Sequence, residues 1–448
     1  MPTSRPEAAG DGGVDTTADM VADMVVRRAP FSDNPRVGAR GQRTQQRIVD
    51  AALRVFGEDG YHQCGVARIT ELAGCSRASF YQCFSGKEDV FRHLAGQVAR
   101  QMGASTEALG LLTPDEDGWR SIRAWVARYA DIYERYEPVF LVFQTAAESD
   151  AAVAGGAAST GERHVAAFRS RLTDATLPPR QLDPVIALLL ECQPRSFDVA
   201  GMLRAAAPSA YPRERIEDAV ADVVHRALFG LQPVNVHEPA RRRPPVLSFS
   251  PHMLDALQGD GRTHELTAAG RRTLQALMDA GRELFVARGY HDTRINDVVA
   301  AAGLSHGAFY RYFESKEAFA QVLAVQAIRT VSTALVDIPA GTPDGVTGTA
   351  ALRRWLRRYN ATQAGEAAII RLWADAAAAG ATFRADSTAA FDWGRRRVAS
   401  VLRPRGFGDV DSEAVMAVAL LSTFGSRERP APMIDAAAHI FERGFLGR

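Results

Sequence analysis

The chain contains itself twice, so whatever it folds into must be built from two similar units. Residues 41–91 and 270–320 align without a gap at a constant offset of 229. Gly41, Arg43 and Thr44 match Gly270, Arg272 and Thr273, and Phe56, Gly60, Tyr61 and His62 match Phe285, Gly289, Tyr290 and His291. Gly74, Ser76, Phe80, Tyr81, Phe84, Lys87 and Glu88 then match Gly303, Ser305, Phe309, Tyr310, Phe313, Lys316 and Glu317. Of the 53 basic residues only two are lysine, and both fall at this one equivalent position. A GC-rich genome explains a preference for arginine; it does not explain two lysines in register. Downstream, Trp125, Tyr129 and Phe143 line up with Trp355, Tyr359 and Trp373 after a one-residue slip, and Arg226-Ala-Leu-Phe-Gly230 resembles Arg443-Gly-Phe-Leu-Gly447. The repeating unit is a whole protein of roughly 190 residues, so this is a fusion of two related chains and not a solenoid.

Composition bounds the rest. At 448 residues, with 46% hydrophobic and 23% charged residues, the chain is globular and has more than one domain. A net charge of +1 means that binding to nucleic acid has to rest on local surfaces. No uninterrupted apolar run approaches membrane-spanning length, and the acidic start (Asp11, Asp15, Asp19, Asp23) lacks the order of a secretory signal. Four cysteines make no disulfide framework, which points to a reducing cytoplasm. The organisation expected is a disordered arm at 1–39 (with a short helix around Met20–Arg28 as an option), a first head at 40–95, a first helical domain at 96–231, a linker at 232–265, a second head at 266–324 and a second helical domain at 325–448. The linker carries Pro233, Pro239, Pro244, Pro245 and Pro251 around the triplet Arg241, Arg242 and Arg243, which reads as semi-rigid and partly extended, its charges solvated.

Each head reads as a helix-turn-helix. Val49, Leu53 and Phe56 set a helical apolar stripe widened by Ile48 and Ala52, and Gly60 ends it. Val66, Ile69, Leu72 and Ala73 face inward on a second, short helix; Gly74 makes the turn and Ser76 is an N-cap for a third. Phe80 and Phe84, four apart, anchor that third helix, leaving Arg77, Ala78, Tyr81 and Gln82 on the other face. The second copy repeats the scheme: Leu274, Leu277, Met278 and Phe285, then Ile295, Val298 and Val299, the Gly303 turn and Ser305 cap, and His306, Gly307, Tyr310 and Arg311 over Phe309 and Phe313.

The stretch Ala302-Gly-Leu-Ser-His-Gly-Ala-Phe-Tyr-Arg-Tyr-Phe-Glu-Ser-Lys-Glu317 resembles the signature of the TetR family of bacterial repressors, A-G-V-S-x-G-x-x-Y-x-[YH]-F-x-x-K-E. The first copy keeps Ala73-Gly74, Ser76, Tyr81, Phe84, Lys87 and Glu88 but has Ala78 for Gly, Cys83 for Tyr or His, and Cys64 for the usual Thr. The resemblance covers about 50 residues in each half. It implies an all-α fold of two tandem units, each a three-helix head followed by a helical bundle, arranged as an intramolecular pseudo-dimer. It also implies a double-stranded DNA operator as partner, a small-molecule effector in the bundle, and no membrane, cofactor or catalytic role. Tyr81, Tyr310, Lys87 and Lys316 would then hold phosphate, with Ser76, Ser305 and Thr293 as further phosphate partners. Base contacts would come from Arg77, Gln82, His306, Arg311 and Tyr312, with Gly307 and Ala78 allowing close backbone approach. The two outward faces differ, which predicts two unlike half-sites.

Competing readings are weaker. Cys64, Cys75 and Cys83 beside His62 do not have the spacing of a closed zinc site, and Cys75 stands where the other half has Leu304, so buried small hydrophobes fit better. The sequence carries no phosphate loop, nucleophile elbow or metal motif, which argues against an enzyme. Trp119, Trp125, Tyr129, Tyr133, Phe143, Trp355, Tyr359, Trp373 and Trp393 line either a ligand cavity or the core, and core is favoured. The departures at Cys64, Ala78 and Cys83 leave open a second functional reading, in which only the second head binds DNA and the first half serves as a dimerisation or sensor module.

Overall fold

The computed structural model describes residues 39–61, 63–149, 151–174, 177–238, 243–251, 253–254, 266–339, 348–379, 381–426 and 429–448. The arm expected before Ala39, its optional helix, His62, Arg241 and Arg242 lie outside the described residues. Among the described residues there is no strand, only an isolated parallel bridge between Leu112 and Leu172. The fold is all-α, in two compact units, one ending at Leu94 and the other beginning at Ala95.

In the first unit α1 (Ala39–Glu58), α2 (Val66–Ala73) and α3 (Arg77–Cys83) are followed by the start of α4 (Lys87–Glu107). Helix α1 buries Ile48, Val49, Ala52, Val55 and Phe56, the spacing of one apolar face. Gly74 ends α2 at φ +59°, a left-handed geometry that other residues rarely take, and its counterpart Gly303 sits at +67°. Ser76 caps α3, its Oγ accepting from the Ser79 amide at 3.1 Å.

The second unit opens with α5 (Glu116–Ser149), kinked at Tyr136 two residues before Pro138, then α6 (Ala151–Arg171), α7 (Pro179–Glu191), α8 (Gln193–Ala206) and α9 (Arg213–Phe229). Trp125, Tyr129 and Tyr133 are core: Trp125 packs edge-on against Phe168 at 4.9 Å and Tyr129 stacks on Phe197 at 5.8 Å. The second head follows as α10 (Ala268–Asp292), α11 (Ile295–Ala301), α12 (His306–Tyr310) and the start of α13 (Lys316–Val336). Contrary to the expectation that no run approaches membrane-spanning length, helix α13 is long and apolar enough, by length and composition, to cross a membrane; Phe319, Leu323 and Ala327 on it are buried in the head's core. The last bundle is α14 (Gly348–Ala379), α15 (Ala381–Leu402), α16 (Val410–Ser422) and α17 (Ala431–His439), which ends in a π turn at Ile440–Phe445. Trp355 and Tyr359 are also core, stacked at 5.1 Å, while the side chain of Trp373 lies outside the described residues.

Within the second unit the two bundles meet. Helix α16 packs on α8 and α9, α9 on the π turn, and α7 on α17. Arg226 on α9 is fully buried, its Nε donating to the Gly444 carbonyl at 2.7 Å and its Nη2 lying 2.7 Å from Glu413. The described part of the expected linker departs from a spacer. Residues 243–250 form no helix or strand, but the Leu247 amide donates to Asp392 at 3.1 Å and the Ser250 amide and hydroxyl donate to Asp386 at 2.7 and 2.8 Å. Met253 is fully buried in the core of the second head. Two of its backbone donors, at Leu247 and Ser250, are satisfied by aspartates of α15, so this stretch is a docked strap.

Candidate nucleic-acid interface

Each recognition helix is held from beneath by its phenylalanines. Phe80 and Phe84 lie 6.1 Å apart and buried, as do Phe309 and Phe313 at 5.4 Å. The opposite face carries Tyr81, 57% exposed, and Tyr310, 50% exposed, each packed edge-on over the buried phenylalanine before it, at 5.4 and 5.6 Å. Arg77, Ala78 and Gln82 are exposed beside Tyr81, and His306, Gly307 and Arg311 beside Tyr310. The His306 and Tyr310 rings contact each other at 5.1 Å, one helical turn apart. A Cβ built at Gly307 meets nothing within 4 Å, so the protein itself does not require glycine there. Ser76 and Ser305 are exposed at the N-caps, although Ser305, unlike Ser76, makes no side-chain cap bond.

Four of the candidate residues turn inward. Lys87 Nζ donates to the carbonyls of Tyr61 at 2.9 Å and Cys64 at 3.3 Å, and Lys316 Nζ to those of Tyr290 at 2.9 Å and Thr293 at 3.1 Å. Each ammonium also lies over the same tyrosine's ring, 4.9 Å from the Tyr61 centroid and 4.1 Å from that of Tyr290. The duplicated lysine is therefore a latch: it ties the start of the fourth helix to the turn that ends the first, where carbonyls past a helix end lack partners. Thr293 is fully buried, its hydroxyl donating to Gly289 O at 2.7 Å, and Tyr312 donates its hydroxyl to Gly270 O at 3.1 Å. Both hydroxyls are engaged inside the head. In the sequence Tyr61 and Tyr290 stand out only as repeated identities, and their repetition together with the lysines is the signal for this contact.

The cysteines are packing residues. Cys64 and Cys83 are buried and Cys75 half-buried, and desolvation raises all three thiols above their ordinary range, against thiolate chemistry. Among the described residues no group of His, Cys, Asp and Glu could hold a metal ion.

Residues 48–94 and 277–323 both match the family of bacterial regulatory proteins, tetR family. The chain carries two tetR-family heads. It is similar to the HTH-type transcriptional repressor AcnR of Corynebacterium glutamicum, 30% identical over 111 residues, which are 23% of this chain and 57% of that one. Similarity to the HTH-type transcriptional repressor DhaR of Mycobacterium sp. strain GP1 is 43% over 67 residues, 14% of this chain and 34% of the relative. The chain thus spans between 34% and 57% of the length of these relatives. A solved structure of a transcriptional regulator (TerR/AcrR family) from Aquifex aeolicus VF5 is matched at a TM-score of 0.30 and 19% identity, over 37% of this chain and 95% of that one.

Proposed function

We propose that the chain is a cytoplasmic DNA-binding transcriptional regulator, acting as a repressor, that reads a double-stranded operator through both tetR-family heads. The observation that carries this reading is the repeated outward face: a half-exposed tyrosine in each copy, ringed by exposed polar side chains over a buried phenylalanine pair. Tyr81, Tyr310, Ser76 and Ser305 contact phosphate, which positions each head. Arg77, Gln82, His306 and Arg311 face base edges, where Arg suits guanine and Gln adenine. Gly307, and less closely Ala78, bring the helix backbone against the groove. Lys87, Lys316, Thr293 and Tyr312 keep each recognition helix at its angle. The contact between α8–α9 and α16–α17 serves as a pseudo-dimer interface, so one chain supplies both heads and their pairing is intramolecular.

Release by a small-molecule effector belongs to the same reading. The first bundle holds only a water-sized apolar void, lined by Trp125, Phe168, Ile186, Leu189 and Gln193, where the buried Trp125 Nε1 and Gln193 Oε1 have no hydrogen-bond partner among the described residues, so an effector would have to open the packing there. The equivalent Trp355 donates its Nε1 to Ala334 O at 2.9 Å.

Selection of bound sequences from a random DNA pool tests the proposal. Two unlike half-sites are expected, spaced by about 34 Å or a multiple of it. No enrichment would contradict DNA reading altogether. A single half-site would instead favour the second reading, in which only the second head engages DNA; the inward hydroxyls of Thr293 and Tyr312, replaced by Cys64 and Cys83 in the first head, speak for it.

A further inference from the structure

The helices that join the two halves correspond at a second constant offset, 217. Residues 193–206 of α8 fall on 410–423, against α16 at Val410–Ser422, and Arg226–Gly230 falls on Arg443–Gly447. Gly230 and Gly447 both have positive φ, at +78° and +68°. Cys192 and Asp409, one residue before these helices, are their equivalent N-caps. A face made by two identical copies around a two-fold axis shows each contact twice, residue i on j and j on i. Here, among the described residues, three charged contacts fall at positions whose mates cannot form an ion pair.

Arg226 meets Glu413 at 2.7 Å with both side chains fully buried; the mate of that pair would be Arg443 with Ser196, and Ser196 instead donates to Cys192 O of its own helix at 2.8 Å. Arg215 meets Asp409 at 2.7 Å; its mate would be Pro432 with Cys192. Arg429 pairs with Glu191 in the opposite sense, its Nη1 donating at 2.9 Å, and Arg429 falls on Pro212. Glu413 also lies 2.6 Å from Arg405 of its own half, held by charge rather than by aligned hydrogen bonds.

We infer that this face is heterotypic: it fits the other half of the same chain and rejects a second copy of the first half, so the chain closes on itself in one polarity. Two first halves would set Arg226 against Ser196 and Arg215 against Cys192, leaving a fully buried guanidinium with the Asn235 carbonyl at 2.6 Å but no carboxylate nearer than Asp222, 3.9 Å away on its own helix. Two second halves would keep a cation opposite Glu413 through Arg443, but would set Asp409 against Pro432 and leave both first halves uncovered. Removing one member of a buried ion pair shifts the equilibrium by about a hundredfold or more. The same logic lets a single polar position in a coiled coil choose its partner. The inference does not depend on DNA recognition.

The full-length chain tests it. In a Cys75→Ser background, Arg215→Cys with Asp409→Cys is oxidised and read on a non-reducing gel and by mass. The expected product is a closed single chain whose fraction is unchanged over a hundredfold dilution; linked dimers that grow with concentration overturn the proposal. Glu413→Ser, which writes the first half's residue into the second, should lower the denaturant midpoint, and adding Arg226→Met across the interface should recover the part of the loss that the stranded Arg226 causes, Arg405 losing its carboxylate in both variants. An unchanged midpoint in Glu413→Ser, or no recovery in the double variant, removes the ion pair as the selecting element. If Glu413→Ser fails to fold, Asp409→Ser at the less buried pair gives the same comparison with a smaller shift.

Discussion

In the first head Ala52 and Val90 are both fully buried; at the same two positions the second head has Gly281 and Phe319, whose ring reaches within 2.2 Å of where a Cβ on Gly281 would stand. Volume has moved from one helix to the other while the frame stayed put, the kind of exchange that a close-packed core tolerates. The lysine latch, by contrast, is the same in both heads, down to the carbonyls it serves. What separates the heads is their polar finish. Thr293 and Tyr312 tie the second head to the end and the start of its first helix, at Gly289 and Gly270, whereas Cys64 gives only a weak sulfur donor to Tyr61 O at 3.3 Å and Cys83 is a buried thiol. A frame can thus outlast the details that sharpen it, and the first head carries fewer of those details.

The strongest way to break the comparison is to remove one recognition helix at a time. Phe309→Ala and Phe80→Ala should each destabilise their head by about 3–5 kcal/mol, and equal losses of operator affinity in a gel shift would show two working heads. Loss with Phe309→Ala alone would leave the first head without a role on DNA. Lys316→Met and Lys87→Met should each cost about 1–3 kcal/mol of head stability by stranding two carbonyls, and the two costs should agree. A large discrepancy in thermal melts would show that the shared latch is not equally important.

Base contacts come next. Arg311→Ala and Arg77→Ala should each weaken binding by about 1–3 kcal/mol and relax sequence preference in one half-site only, different for each variant, as read by repeated selection. The smallest effects sharpen the difference in finish. Cys64→Thr should stabilise the first head by about 0.5–1.5 kcal/mol if its hydroxyl finds Gly60 O, and Tyr312→Phe should destabilise the second by a similar amount. No gain from Cys64→Thr would mean that the first head has drifted too far to accept the bond.

The helices of each head, the turns at Gly74 and Gly303 and the outward face around Tyr81 and Tyr310 were legible in the sequence, because periodicity and glycine placement act over a few residues. The latch was half legible. Repetition singled out Lys87 and Lys316, but their partners are backbone carbonyls 23 and 26 residues away, which no side-chain motif records. The inward turn of Tyr312 escaped for the same reason, since its acceptor is Gly270 O. Proline content suggested an extended linker, yet its docking depends on Asp386 and Asp392, more than 130 residues further along. The unmated ion pairs at Glu413 and Asp409 required knowing which helices of the two halves meet.

On the reading proposed above, one chain brings two unequal heads to one operator. Sedimentation of the complex between the full-length chain and its selected operator tests this most directly. A complex holding one 48.5 kDa chain per operator, with both half-sites protected, is expected. Two chains per operator, each protecting a single half-site through its second head, would contradict it.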